Sequence, residues 1–129
     1  MKFLIRQSVL LILVSLMLTS CTVYPRTPVG TGTFSHVSGH LAWTYPFDIH
    51  TTWSATLRAL DKLNIQIQDK AVDGLGGTIL AQRADQTKVS VTLEPVSKRA
   101  TRVSIKIGTF GNREQSENIH AMIQQELNL

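Results

Sequence analysis

Histidine is the side chain in this sequence best suited to chemistry near neutral pH, and there are four. His36 and His40 are four residues apart, the spacing of metal ligands on a helix. Their surroundings favour a tether or strand instead, where four residues span about 13 Å. His50 and His120 fall in two predicted helices, where we expect both on the helix surface. The histidines therefore predict no metal site.

The sequence also argues against covalent catalysis and phosphate binding. It contains no nucleophile elbow, and a grouping of His50 with Asp48 and a serine is uninformative because hydroxyl groups are abundant. The glycine-rich segment 108–112 lacks the lysine and the glycine spacing of a phosphate loop. We expect a tight turn there, with Phe110 against the sheet, and a mobile hairpin tip at 74–77. The protein is expected to be no enzyme and to need no cofactor.

The single cysteine, Cys21, has a different expected use. Lys2 and Arg6 precede about 11 largely apolar residues, roughly 16 Å of helix at ~1.5 Å per residue, or about half of a bilayer core. That layout is typical of a secretory signal peptide. The four residues at 18–21, Leu-Thr-Ser-Cys, resemble the lipobox of bacterial lipoproteins.

The lipobox resemblance implies that the chain is cut before Cys21 and that this residue is lipidated. Several acyl chains make membrane attachment stable without a transmembrane helix. Thr22 rather than an aspartate follows the cysteine, which implies the outer membrane, facing the periplasm. The membrane is thus an expected partner, through lipid on Cys21. The alternatives are a plain signal peptide or an uncleaved anchor.

Length and composition predict one ordinary globular domain: 129 residues, 43% hydrophobic and 17% charged. The formal charge of +4 falls to +2 without Lys2 and Arg6, which is too small an excess to indicate nucleic acid binding. We expect a lipoprotein signal peptide at 1–20, a lipidated cysteine with a flexible tether at 21–38, and a single domain at 39–129.

Hydrophobic periodicity predicts an α+β fold. Two stretches with apolar residues three and four apart predict amphipathic helices, the first capped by Asp48 and the second by Asn112 with Gln115 completing a capping-box-like pair. Trp53, Leu57 and Leu60 are expected to dock the first helix on the sheet. Period-two alternation predicts strands at 40–45, from 65, and at 78–83, 88–94 and 102–107.

These elements predict an antiparallel sheet of four to five strands with two helices packed on one face, in the order strand, helix, four strands, helix. Alternation leaves the other face open, rich in hydroxyl, amide and basic groups. Lys88, Arg102 and Lys106 on it are the candidate partner-binding residues, for an envelope protein or a polar or anionic envelope component. The alternative is a face kept polar only for solubility. The full expected set is Gln66, Gln68, Thr78, Gln82, Lys88, Ser90, Thr92, Glu94, Arg102, Ser104 and Lys106.

Three motifs carry a family resemblance. They are Trp53-x-Ala55-x-x-x-Ala59-Leu60, the turn at 74–77 before Thr78-Ile79-x-Ala81, and the run at 101–112 that includes Ile-Gly-Thr-Phe-Gly-Asn. From position 41 onwards the chain resembles a family of short bacterial lipoproteins known only as a domain of unknown function. The resemblance implies a periplasm-facing α+β lipoprotein and provides no activity or site residue.

The expected function is that of a membrane-anchored, non-enzymatic interaction or structural module of the cell envelope. The alternative is a carrier or sensor of a small apolar ligand held between the helices and the sheet, near Trp43, Tyr45, Phe47 and Trp53. A void beside Trp43 and Trp53 would favour the carrier, whereas a filled core would favour the module.

Overall fold

The runs of alternating residues form strands and the two amphipathic stretches form helices. A computed structural model describes residues 32–129, so the predicted signal peptide and Cys21 lie outside the described residues. The elements are β1 (Thr33–Phe34), β2 (Leu41–Tyr45), α1 (Ile49–Lys62), β3 (Gln66–Asp73), β4 (Gly76–Gln82), β5 (Lys88–Ser97), β6 (Ala100–Ile107) and α2 (Arg113–Glu126).

The strands form one antiparallel sheet in the order β1-β2-β6-β5-β4-β3. It has six strands, so the prediction of four to five was too low. The additional strand is β1, in which Thr33 pairs with Ala42 and Phe34 with Leu41. These two residues fall in the segment predicted as a tether, where a two-residue strand leaves no readable alternation. The α+β class is confirmed.

Helix α1 begins at its predicted cap, Asp48. The Asp48 carboxylate accepts hydrogen bonds from the backbone N–H groups of His50 and Thr51 at 2.9 and 3.0 Å. Asn64 follows the helix with φ +54° and ends it. Trp53 and Leu60 are buried against the sheet, whereas Leu57 is half-buried. The buried stripe also includes small residues that the apolar pattern did not single out, Thr52, Ala55, Thr56 and Ala59.

A bulge in β3 changes which of its residues share a face. The pairing of β3 with β4 shifts between Ile67 and Asp69, so Gln68 is the extra residue. Beyond it, Asp69 pairs with Leu80 and therefore lies on the open face of the sheet. The side chain of Gln68 donates to that of Gln82. Simple alternation from Ile65 could not predict this change of phase.

Helix α2 is capped by Asn112, whose Oδ1 accepts from the backbone N–H of Gln115 at 3.0 Å. The reciprocal half of the predicted capping box is replaced, because the Gln115 side chain accepts a hydrogen bond from Arg83 instead. At the other end of α2, Glu126 forms ion pairs with Lys62 and Arg58 of α1. Hydrogen bonds from the side chains of Lys62 and Arg58 hold the pKa of the Glu126 carboxyl below its usual value.

The turn that leads into α2 lies directly on the β1–β2 turn. A methyl group at Gly111, which has φ +83°, would collide with the carbonyl oxygen of Gly39. Likewise, a methyl group at Gly39, with φ +70°, would collide with the carbonyl oxygen of Phe110. The two turns therefore contact each other through backbone atoms, with no room for a side chain at Gly39 or Gly111. The Phe110 side chain therefore points outward and is exposed, so its expected packing against the sheet was wrong.

Candidate functional site: the open face of the sheet

Both helices cover the same face of the sheet, and the strands present polar side chains on the other. A row of hydroxyl groups crosses its centre, since Thr78 lies opposite Thr92 and Thr92 opposite Ser104. On the helix side, residues of the opposite phase such as Val91 and Ile105 are fully buried. The predicted phase of β4, β5 and β6 is confirmed.

The three candidate cations all lie on this open face but do not form one cluster. Lys106 is directly opposite Ser90, which makes Lys88 its diagonal neighbour on β5, at a spacing of about 7 to 8 Å. Arg102 lies four residues before Lys106 on β6, about 13 Å away. Lys88 and Arg102 are exposed, and Lys106 is half-buried. The structure thus brings two lysines together and leaves the arginine apart.

Arg102 has an acidic neighbour of its own. It pairs across the strands with Glu94, and its Nη1 lies 3.9 Å from Glu94 Oε2. Thr33, Ala42 and Thr44 join Arg102 in lining a shallow recess of about 340 Å³. Positive charge on the open face is therefore concentrated at the end that holds Lys88 and Lys106.

Leu80 is a member of this face that the sequence reasoning missed. It pairs with Ser90 on one side and Asp69 on the other, and 47% of its surface is exposed. A usable signal was present, because Leu80 lies in the same phase of β4 as Thr78 and Gln82, which were expected on the open face. An exposed leucine gives the hydroxyl-rich centre an apolar contact.

His120 is fully buried, so its expected position on the surface of α2 was wrong. Its Nε2 lies 3.0 Å from the carbonyl oxygen of Leu41, and its Nδ1 lies 2.8 Å from Tyr45 Oη. A carbonyl only accepts, so Nε2 carries the proton and Nδ1 accepts from the tyrosine. The spacing of Ser116, Ile119, His120 and Ile123 was a usable signal, since it continues the buried stripe.

Burial controls the ionisation of this pair. It lowers the pKa of His120 to about 4 and raises the pKa of Tyr45 above its ordinary value. The imidazole is therefore neutral at neutral pH, with both nitrogens occupied. The His120–Tyr45 pair links α2 to β2 on the helix-covered face of the sheet. Neither side chain is exposed, so neither can contact a substrate.

The other histidines are dispersed. His36 is exposed and its ring contacts Phe34 edge-on at 4.9 Å, His40 is half-buried, and His50 is exposed in the first turn of α1. Within residues 32–129, no three His, Cys, Asp or Glu side chains are grouped closely enough to hold a metal ion. Neither helix in this part of the chain is long and apolar enough to cross a membrane.

The surroundings of the two tryptophans bear on the ligand-carrier alternative. Trp53 packs on Gly77, where a methyl group would come within 2.8 Å of its Cζ3, and Trp43 contacts the His120 ring at 5.4 Å between centroids. Gly77 is therefore the contact surface for an indole rather than part of a mobile tip. A cavity of about 130 Å³ does occur between helices and sheet, but further along, beside Arg83 and Gln115.

The fold and its open face define a small α+β domain with a one-sided antiparallel sheet. The chain belongs to the family described as Protein of unknown function (DUF3568), which matches residues 4–126. The expected resemblance to an uncharacterised family is thereby confirmed. No curated protein matches the chain. Cys21 lies outside the described residues, and its lipidation stays a prediction.

Proposed function

We propose that the protein is a lipid-anchored lipoprotein of the cell envelope and that its domain is a non-enzymatic binding module. The observation that carries this proposal is the one-sided sheet, whose open face combines a central hydroxyl row with two neighbouring lysines. The groups best suited to catalysis, His120 and Tyr45, are enclosed on the helix side. The open face is the surface with the chemistry for recognition.

The anchor is proposed from the amino-terminal sequence. Lys2 and Arg6, the short apolar run and the Leu-Thr-Ser-Cys segment all agree with processing at Cys21. Thr22 after the cysteine supports sorting to the outer membrane, with the domain facing the periplasm. Acylation at one end of the chain keeps the domain at the membrane while leaving its open face available.

The chemistry of the open face favours a polar or anionic partner. Thr78, Thr92 and Ser104 offer hydroxyl groups that both donate and accept, as a saccharide or a polar protein surface requires. Lys88 and Lys106 at one end add positive charge that no acidic side chain among residues 32–129 neutralises through an ion pair. We propose an envelope protein or an anionic envelope component as the partner.

Support for the carrier alternative is weaker. Ligand pockets usually enclose about 300 to 1,000 Å³, whereas the cavity between the helices and the sheet measures about 130 Å³. Trp43 and Trp53, whose surroundings were expected to form the pocket, instead contact His120 and Gly77. These contacts and the small volume of the cavity favour the interaction module over the carrier.

Reversal of the two neighbouring charges tests the proposal. We expect Lys88→Glu with Lys106→Glu to abolish capture of the partner by chemical crosslinking in intact cells, because the positive end of the face is lost. The fold should be retained, since neither lysine forms an ion pair with another residue at 32–129 and surface substitutions away from special features usually change stability by within about 0.5 kcal/mol each. Arg102 is left unchanged, because a glutamate there would face Glu94.

Lys70→Glu provides the matched control, since Lys70 is exposed on the edge strand β3 and pairs with the buried Ile79, off the open face. Capture should survive this change. Recovery of every crosslinked neighbour by the folded double variant would contradict a role for the lysine end of the face.

A further inference from the structure

Two hairpin turns extend from the same end of the sheet, the β5–β6 turn reaching about three residues further than the β3–β4 turn. The β3–β4 turn contains Gly74 and Leu75, and the β5–β6 turn contains Lys98 and Arg99. Because β4 and β5 are adjacent and antiparallel, both turns extend from the same end, and the β1–β2 turn extends from the opposite end. We refer to Leu75, Val96, Lys98 and Arg99 as the tip surface.

The tip surface exposes apolar side chains to solvent. Leu75 has 89% of its surface exposed and Val96 has 46%. Val72, at the end of β3 beside Leu75, is also exposed. Apolar side chains that project from adjacent hairpins are suited to entering the boundary between lipid headgroups and acyl chains.

The charge at this end sums to +1, because Lys98, Arg99 and Arg102 outnumber Asp73 and Glu94, and the Asp73 carboxylate keeps its negative charge. Asp73 accepts from the backbone N–H groups of Leu75 and Gly76 at 2.8 and 3.0 Å, and Glu94 faces Arg102. Lys98 and Arg99 are exposed and form no ion pair with any residue that the structure describes. Two free cations beside exposed apolar groups complement an anionic lipid surface.

The direction of the chain at Gly32 points to the same end. Thr33 pairs with Ala42 in the antiparallel β1–β2 register, so Gly32 lies beside Trp43 and the chain before it enters from the end of the sheet where β2 finishes. That end is the one that bears the tip surface. Eleven peptide units separate Cys21 from Gly32, a reach of at most about 40 Å.

We infer that the tip surface contacts an anionic phospholipid bilayer, with Leu75 entering the interface and Lys98 and Arg99 binding headgroup phosphates. This inference rests on the proposed anchor at Cys21. The contact places the tip end of the sheet at the membrane and directs the strands away from it. The open face of the sheet is then accessible from the periplasm. Val37 and Phe110, exposed at the opposite end, face away from the bilayer.

A fluorophore at position 75 tests the inference directly. Full-length Leu75→Cys protein, purified from membranes, carries one free thiol once Cys21 is acylated, and this thiol takes an environment-sensitive fluorophore. The labelled protein is placed in vesicles of phosphatidylethanolamine and phosphatidylglycerol. We expect its emission to shift to shorter wavelength and brominated lipid to quench it. Val37→Cys, fully exposed at the opposite end, is the matched control and should report water.

The possible results are distinguishable. Mass spectrometry for acylated Cys21 and flotation with the vesicles test the anchor, and an unacylated protein that does not float would overturn both proposals. An acylated, floating protein whose position 75 reports water, or whose position 37 reports lipid equally, overturns the tip-surface contact alone.

Charge reversal tests the choice of an anionic surface. Lys98→Glu with Arg99→Glu in the Leu75→Cys protein should reduce the ratio of inserted to free tip by at least about fivefold for each cation lost. Lys70→Glu, an equal charge change per residue away from the tips, should leave the signal unchanged. An unaltered signal in the double variant overturns the assignment to an anionic surface.

Discussion

His120 is neutral in the folded protein because its imidazole is buried and both of its nitrogens have partners. Burial lowers its pKa to about 4, from an ordinary value of 6.5. Between these pH values the unfolded chain binds a proton that the folded protein does not. The free energy of unfolding should therefore fall as the pH drops from about 6.5 to about 4, by roughly 3 kcal/mol.

Denaturant unfolding across this pH range measures the effect. His120→Gln should lose this part of the pH dependence, whereas His50→Gln, at an exposed position, should retain it. Hydrogen bonds with Thr51 and Thr87 lower the pKa of Asp48 and Asp85, so these carboxylates contribute at lower pH. A wild-type profile as flat as that of His120→Gln would show that His120 does not control acid stability.

Individual side chains were predicted unevenly from the sequence. Lys88, Arg102 and Lys106 lie on the predicted face, because alternation along a strand determines the side of each residue. Their separation depends on the register between strands, and the pairing of Arg102 with Glu94 requires that register. The burial of His120 was not predicted, although this residue continues the buried stripe formed on α2 by Ser116, Ile119 and Ile123.

The docking of α1 on the sheet depends on the contact between Trp53 and Gly77. A methyl group at Gly77 would lie 2.8 Å from Trp53 Cζ3 and 3.3 Å from Val72 Cγ2. Gly77→Ala should therefore reduce the free energy of unfolding by about 1 to 3 kcal/mol through overpacking. Gly74→Ala is the control, since a methyl group there meets no atom within 4 Å.

A double mutant separates this contact from a general effect of alanine in β4. In a Trp53→Ala background the indole is absent, and Gly77→Ala should then cost little. Equal destabilisation by Gly77→Ala with and without Trp53 would show that the helix does not rest on this glycine.

Most elements were predictable, because local signals determine them. Asp48 and Asn112 cap their helices as expected, and Asn64 ends the first one. The bulge at Gln68 and the strand at Thr33–Phe34 were missed, since each depends on hydrogen bonds to a neighbouring strand rather than on local pattern. These features extend the sheet and alter its edge without changing the fold class.

At the scale of the whole molecule, the two surfaces proposed here have separate roles. The tip surface lies at the end of the sheet from which the chain enters β1, and the open face runs along the strands away from it. A domain held in this way can present Thr92 and Lys106 to a partner while Leu75 remains at the membrane. Anchoring and recognition would then be separable by mutation.

We propose that the partner binds the open face of the sheet rather than the helix side. A photoreactive residue at Thr92, in the centre of that face, is compared in intact cells with one at Ser54, exposed on α1. We expect discrete crosslinked adducts from position 92 and none from position 54. Adducts from position 54 with none from position 92 would show instead that the partner binds the helix side.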